Sequence, residues 1–266
     1  MYIIHELEAE KLSVTVAWFA NVILSEAKDL YACAEGSLRR FAANDDVVRL
    51  VHLSQLDSIP AGATTLILHL ALDNEIPTHK LISARLSSCN QLNPYDLLAE
   101  IADDKYSFYN HMLAAEIPQP ETAKLDAGDY DDAYISGFIL KFMNSFAGVV
   151  LKPNHGTEKL DFFMLTDMEL LDLALQHARK ILSYDDLIIQ RYIETDNEYR
   201  VLYLLGSYYS VQQIDMSYLP QIQAIVKALP QEPKILAFDI LDDNGVLIPL
   251  EMNIRPAAMH RCAYVN

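Results

Sequence analysis

The stretch KILAFDILDDNGVLIPLEMNIRP, residues 234–256, constrains the fold more than any other part of the chain. Two apolar runs flank Asp243-Asn244-Gly245, and Asn-Gly between such runs predicts a tight β-hairpin because both residues tolerate positive φ. Side chains two positions apart on a strand leave by the same face. Glu251 and Asn253 therefore share a face, and a turn centred near Asn244 lets Asp239 join them. Two acids and an amide suit a hard divalent cation such as Mg2+, which takes few protein carboxylates and leaves positions for water and phosphate. The hairpin alone suits equally well a solvated Asp239 and an edge-capping Glu251, so the rest of the sequence has to decide.

The chain has 266 residues, 52% of them hydrophobic and 21% charged, which is a globular balance with enough length for one or two domains. Apolar runs such as FILKFM and AGVVLK fall far short of the roughly 18 to 20 residues of a membrane helix. The opening MYIIHELEAEKLSV has early acids and no basic region ahead of a long apolar stretch. No secretory signal is read there, and a cytoplasmic location is expected. Cys33, Cys89 and Cys262 are scattered and form no CxxC pair, which speaks against a disulfide framework or a zinc finger. A formal charge of −17 argues against non-specific nucleic-acid binding, which draws its affinity mainly from cations on phosphates. A local basic pocket remains compatible with it.

Residues 1–102 read as an α/β layer domain. LSVTVAWFANVIL and TTLILHLAL are β-rich, SEAKDLYACAEGSLRRFAA has helical composition, and a loop follows ILHLAL. NPYDLLAEIADDKYSFYNHMLAAEIP predicts helices with Pro94 in a first turn and Pro118 ending the run. Residues 103–266 read as an α+β unit with antiparallel sheet, in two halves of about 103–186 and 187–266. The order there is helix, the acidic connector KLDAGDYDDAY, strand VVLKP, polar loop NHGTEK, strand DFFML and helix DMELLDLALQHARKIL. Strand LIIQRYI, two strands about Gly206-Ser207, helix SYLPQIQAIVKAL and the hairpin complete it.

Four cations stand out. Lys152 ends an apolar strand ahead of Pro153 and a flexible loop, where a compact charge can reach phosphate oxygens. The loop holds one glycine and is no Walker A motif. Lys105 opens a helix and can supply a second ammonium. Arg200 interrupts an apolar strand, where an unpaired charge is costly, so it needs an anionic partner, either Glu198 or a phosphate. Arg255 adds a fork suited to carboxylate or phosphate.

In this order the residues resemble the ATP-grasp superfamily. The resemblance runs through Asp104-Lys105, Val150-Leu151-Lys152-Pro153, Ile189-Gln190-Arg191-Tyr192-Ile193, Tyr199-Arg200-Val201, Phe238-Asp239 and Glu251-Met252-Asn253-Ile254-Arg255-Pro256, about residues 103 to 257. It implies an ATP-grasp fold behind a small N-terminal α/β domain, with ATP and Mg2+ as cofactors. Lys105 and Lys152 match the lysines on the phosphates, and Gln190, Arg191, Tyr192 and Ile193 match the adenine hinge, with Glu194 or Asp196 reaching the ribose. Asp239, Glu251 and Asn253 match the metal ligands, while Arg200 and Arg255 match positions that meet phosphate or the acyl intermediate. Arg191 departs from the acid of many relatives, and the loop NHGTEKLDF is glycine-poor and carries Glu158.

Most such proteins are carboxylate–amine ligases acting through an acyl phosphate, and the resemblance implies small-molecule or short-peptide carboxylates and amines as substrates, with no nucleic-acid or membrane partner. A homodimer is compatible with it. A small-molecule kinase on the same scaffold should show a further basic cluster, which 20 Lys+Arg against 37 Asp+Glu do not suggest. A non-catalytic ATP-binding regulatory module is the third reading, left open by the unusual loop and hinge. His155, His260 and the cysteines are read as loop or core residues.

Overall fold

The computed structural model describes residues 2–5, 49–67, 75–155, 162–255 and 263–264. The β-rich run at 12–24 and the helical composition at 25–43 lie outside them. Strands β1 (Tyr2–His5), β2 (Arg49–His52), β3 (Thr64–Ile67) and β4 (Asn90–Gln91) form a parallel sheet in the order β2-β1-β3-β4. Parallel neighbours need a crossover, and helix α1 (Glu75–Arg85) supplies it between β3 and β4. A loop is expected here from the sequence, and the segment contains Pro77. As the third residue of α1 it occupies the first turn, where its missing N–H has no intrahelical partner to lose. Ile82 and Leu86 close a small core against Leu56 and Ile67.

Helices α2 (Leu97–Asp103) and α3 (Lys105–Ala114) follow. Pro94 stands ahead of α2 rather than in its first turn; the cap is Asp96, whose carboxylate accepts from Leu98 N at 3.0 Å and Ala99 N at 3.3 Å. Asp104 caps α3 in the same way, accepting from Ser107 N at 2.7 Å. These two caps fix where the Lys105 side chain starts.

A second sheet contains β5 (Thr122–Leu125), β6 (Val149–Pro153), β7 (Phe163–Leu165) and β8 (Leu187–Arg191), antiparallel in the order β5-β8-β6-β7. Helices α4 (Asp132–Met143) and α5 (Leu171–Leu182) cover one face. There they bury Ile135, Ile139, Ala178 and Ile181 against Val149, Leu151, Leu187 and Ile189. The acidic connector is thus not a linker. It holds the end of β5 and the start of α4, capped by Asp131, which accepts from Tyr134 N at 2.7 Å.

The third sheet is β9 (Glu198–Leu204), β10 (Ser207–Ser210), β11 (Ile235–Asp243), β12 (Val246–Asn253) and β13 (Ala263–Tyr264), in the order β12-β11-β9-β10-β13. Both tight turns use left-handed pairs, Leu205 and Gly206 at φ 49° and 98°, and Asn244 and Gly245 at φ 54° and 91°. Alternate residues Val201 and Tyr203, Leu236, Phe238 and Ile240, and Leu247 and Met252 face a core shared with α2, α3 and α6 (Leu219–Lys227). Sheet membership changes between Arg191 and Glu198, after β8, and α3 packs on the third sheet.

Edge strand β12 carries a bulge: Asp239 pairs with Glu251 but Ile240 pairs with Pro249, leaving Leu250 without a partner. Proline lacks a ladder donor and is confined to such edges and bulges. The bulge lets Leu250 and Glu251 line the same side. Among the described residues no helix is long and apolar enough to cross a membrane.

Candidate active site

The faces of the second and third sheets that are not covered by helices meet at a cavity of about 390 Å3. From the second sheet it receives Val150, Lys152 and Gln190, and from the third Arg200, Asp239, Leu241, Leu250 and Glu251, with Lys105 from α3. Period-two alternation explains the split. Val149 and Leu151 go into the helix-covered core, so Val150 and Lys152 go to the cavity.

Strand register places three charges in one row across β12, β11 and β9: Glu251 opposite Asp239, and Asp239 opposite Arg200. Arg200 grips Asp239 with a two-pronged fork, Nε to Oδ1 at 2.6 Å and a terminal nitrogen to Oδ2 at 2.5 Å. The anionic partner that the sequence leads one to expect for Arg200 is thus chiefly Asp239, with Glu198 adding a weaker attraction. Burial pushes the Glu251 carboxyl above its ordinary range, and the neighbouring Asp239 carboxylate pushes it further, against the opposing pull of Lys105 and Lys152.

Lys152 donates to Gln190 Oε1 at 3.1 Å, and Gln190 Nε2 donates onward to Thr122 Oγ1 at 2.9 Å. Burial lowers the Lys152 pKa from 10.5 to about 8, despite attraction from Glu251. Lys105 is shifted down for the same reason. Asn154, which sequence reasoning passes over, lies two residues beyond Lys152 and holds Lys105. Its carbonyl accepts from Lys105 N at 3.2 Å and Nζ at 3.4 Å, and its Oδ1 accepts from Tyr106 N at 2.9 Å. The residue after β6 thus supplies acceptors for the first N–H groups of α3. Lys152 and Lys105 together present positive charge that burial disfavours, a state that a polyanion would relieve.

Arg191, the last residue of β8, and Tyr192 and Ile193 after it line the cavity. Arg191 is held by Glu121 at 2.8 Å and Asp243 at 3.4 Å, with its guanidinium 5.9 Å from the centre of the Phe146 ring. Tyr192 N donates to Gly148 O at 2.9 Å. A Cβ at Gly148 would lie 2.8 Å from Thr166 Cγ2, 3.0 Å from Leu165 O and 3.3 Å from Tyr192 Cβ, so only glycine lets β6 lie this close beneath the hinge. Glu194 is exposed and does not line the cavity, nor does Asp196. Glu198 does, and sequence reasoning misses it by treating it only as a partner for Arg200.

Arg255 lies elsewhere. Only 4% exposed, it donates to Asp103 Oδ1 at 2.9 Å and to His79 Nδ1 at 2.7 Å, and it does not line the cavity. His79 in turn contacts Asn93 O at 2.9 Å through Nε2, and Asn93 Nδ2 donates to Ile254 O at 2.8 Å. The network joins the N-terminal layer to the end of β12. Asn253 shares the strand face of Glu251 but lies outside the cavity lining, and its Oδ1 accepts from Arg255 N at 2.8 Å.

These groups fit a hard divalent cation. Asp239 and Glu251 are two acids directly opposite one another, one of them pushed toward protonation, and oxygen donors are what such a cation takes. Those two carboxylates would hold it. Among the described residues no group of three His, Cys, Asp or Glu could hold a metal ion, so its remaining positions would fall to other oxygens.

This chain has the ATP-grasp fold. It superimposes on D-cycloserine synthetase DcsG with a TM-score of 0.68 at 14% identity, over 95% of this chain and 90% of that one. An ATP-grasp RimK domain protein from Sphaerobacter thermophilus gives 0.64 at 14% identity, over 97% and 93%. D-alanine–D-alanine ligase from Bacillus anthracis gives 0.64 at 14% identity, over 98% and 88%. The same ligase complexed with ATP gives 0.61 at 15%, over 96% and 86%. No family sequence model and no curated protein sequence matches the chain.

Proposed function

We propose that this protein is an ATP- and Mg2+-dependent carboxylate–amine ligase that forms an amide or peptide bond through an acyl phosphate. The observation that carries the reading is the meeting of Lys105, Lys152, Asp239 and Glu251 at one cavity between two sheets. Similarity to a D-alanine–D-alanine ligase and a D-cycloserine synthetase supports it.

In this reading Lys105 and Lys152 bind the phosphates, Arg191 to Ile193 bracket the adenine, and Glu198 reaches the ribose. Asp239 and Glu251 would hold the cation, which would supply neutralisation of phosphate charge when bound. A substrate carboxylate oxygen attacks the γ-phosphorus and ADP leaves. The amine nitrogen then attacks the acyl carbon, phosphate leaves, and the nitrogen loses a proton. The protein's part is to align the reactants and offset charge, so no side-chain nucleophile is required.

The test is release of ADP and phosphate from ATP and Mg2+ against pooled amino acids, small carboxylates and short peptides, with mass spectrometry of the products. Dehydrated adducts with stoichiometric ADP and phosphate are the expected result. A phosphorylated product without free phosphate would replace the ligase with a kinase. Nucleotide binding without turnover in any pool would favour a regulatory module.

A further inference from the structure

The Arg200–Asp239 fork occupies a carboxylate that the metal site requires. Resting on the metal site of the proposed function, we propose that Arg200 is a stand-in counter-ion for Asp239: it competes with the divalent cation for that carboxylate and yields only when the cation arrives with a polyphosphate. Both Asp239 oxygens accept from the guanidinium. The fork takes the two outward lone-pair directions of the carboxylate at once. A cation approaching Asp239 from the cavity therefore meets a guanidinium charge a few ångströms away in a partly buried site, where repulsion is poorly screened.

The register makes the arrangement a property of the sheet. Glu251, Asp239 and Arg200 are cross-strand neighbours on β12, β11 and β9. The Arg200 backbone is pinned as well, its N–H donating to Gln212 Oε1 at 2.9 Å and its carbonyl accepting from Val211 N at 3.1 Å. Only the side chain is left to move. The Arg200 side chain keeps 35% of its exposure against 11% for Asp239, so it can swing into the cavity while the acid stays put. There it meets the same space that Lys105 and Lys152 border, and phosphate oxygens offer it a new anionic partner. Two exchanges thus balance: the cation replaces the guanidinium on Asp239, and phosphate replaces Asp239 on the guanidinium. The consequence is selection of the metal–nucleotide complex over the free metal.

The experiment titrates Mn2+ into the nucleotide-free full chain and follows free Mn2+ by electron paramagnetic resonance. Wild type, Arg200→Met, Arg200→Lys and the double variant Arg200→Met/Glu251→Gln are compared, each after a thermal melt that verifies cooperative unfolding. Arg200→Met is expected to bind Mn2+ at least tenfold more tightly than wild type. Arg200→Lys, whose ammonium cannot span both oxygens, is expected between them, and Glu251→Gln should cancel the gain. Adding ATP should shrink the wild-type deficit to less than about threefold. Equal or weaker Mn2+ binding by a folded Arg200→Met overturns the proposal, as does a gain that survives Glu251→Gln. Because the nucleotide-free titration involves neither ATP nor turnover, a failed ligase assay has no bearing on its outcome; absence of Mn2+ binding in every variant would remove the metal site and this inference together.

Discussion

Replacing Lys152 by methionine separates what the site does for ATP from what it does to the nucleotide-free protein. Burial lowers the Lys152 pKa from 10.5 to about 8. Each tenfold change in proton affinity is about 1.4 kcal/mol, so holding this ammonium charged in the folded chain at pH 7 costs about 3 kcal/mol. Methionine keeps much of the stem and removes the charge. It also removes the donor to Gln190 Oε1, returning about 1 kcal/mol of the gain. Glu251 loses one of the two ammonium groups that hold its pKa down and takes up a proton more readily. The net expectation is a nucleotide-free protein more stable by about 2 kcal/mol, or about 4–8 °C in Tm.

The pH dependence gives the second arm. With the folded pKa of Lys152 below the unfolded one, the unfolded chain binds more protons between about 8 and 10.5, so this group's penalty is complete below pH 8 and fades as pH rises to 10.5. The advantage of Lys152→Met should shrink across that window. Saturating MgATP should reverse the order, since ligand at 100 times Kd stabilises wild type by about 2.7 kcal/mol and the variant lacks a phosphate contact. Differential scanning fluorimetry at pH 7, 8, 9 and 10, with and without MgATP, measures all of this. A Lys152→Met protein that melts below wild type at pH 7 without nucleotide, or a gap that stays constant with pH, would refute the charge-burial reasoning.

Glu251→Gln should abolish ADP release in the presence of whichever substrates support it while leaving the melting temperature equal or higher, because a carboxyl that burial already pushes toward neutrality is replaced by a neutral amide. Gly148→Ala drives a methyl group against the Leu165 carbonyl and under Tyr192. ATP affinity should fall at least tenfold with a stability loss of about 1–3 kcal/mol, read by calorimetry and melting. Glu198→Ala should weaken ATP binding severalfold and Glu194→Ala should not, since only Glu198 borders the cavity; a loss seen with Glu194→Ala and not with Glu198→Ala would return the ribose role to Glu194. His79 is held neutral, its pKa lowered from 6.5 to about 4 by burial first and Arg255 second. Between pH 6.5 and about 4 the unfolded chain binds the extra proton, so stability falls with pH there, and His79→Gln should flatten that slope in urea titrations.

The chemistry-bearing strands are legible in the sequence because their period-two alternation is strong and their turns are explicit. Glu251 and Asn253 can be assigned one face by their spacing, and Asn-Gly marks the turn of the hairpin, but it is the bulge at Leu250 that brings Glu251 opposite Asp239. Helix α4 escapes such a reading, although Ile135, Ile139 and Phe142 recur at helical spacing and are buried. The acids ahead of it read as an acidic connector running straight to the next strand, when Asp131 is the N-cap of this helix. Helix α1 is hidden by Pro77, a breaker everywhere except in the first turn. Arg255 shows a different limit of local sequence patterns. Its motif position suggests phosphate, but its partners His79 and Asp103 lie 176 and 152 residues away in sequence, and no local pattern encodes that pairing.

The bulge at Leu250 is what sets Glu251 beside Asp239: counted back from the Asp243–Val246 pair, an unbroken ladder would put Leu250 opposite Asp239 and Glu251 opposite Phe238 on the core face. Counting by twos from Glu251 puts Pro249 on the cavity side, yet Pro249 stands opposite Ile240, which belongs to the core face. The parity inverts at Leu250, and Leu250 itself is delivered to the cavity. Had the bulge fallen between Glu251 and Asn253, the same sequence pattern would have sent the two donors to opposite faces. Its one sequence signature is Pro249, which cannot donate to a ladder and so requires an edge or an irregularity. The reach of a sequence argument about this site is therefore set by where the ladder breaks. Upstream of the break, Asp239 and Arg200 are fixed by the uninterrupted β11–β9 register, and their pairing follows from two counts by twos that meet without a slip.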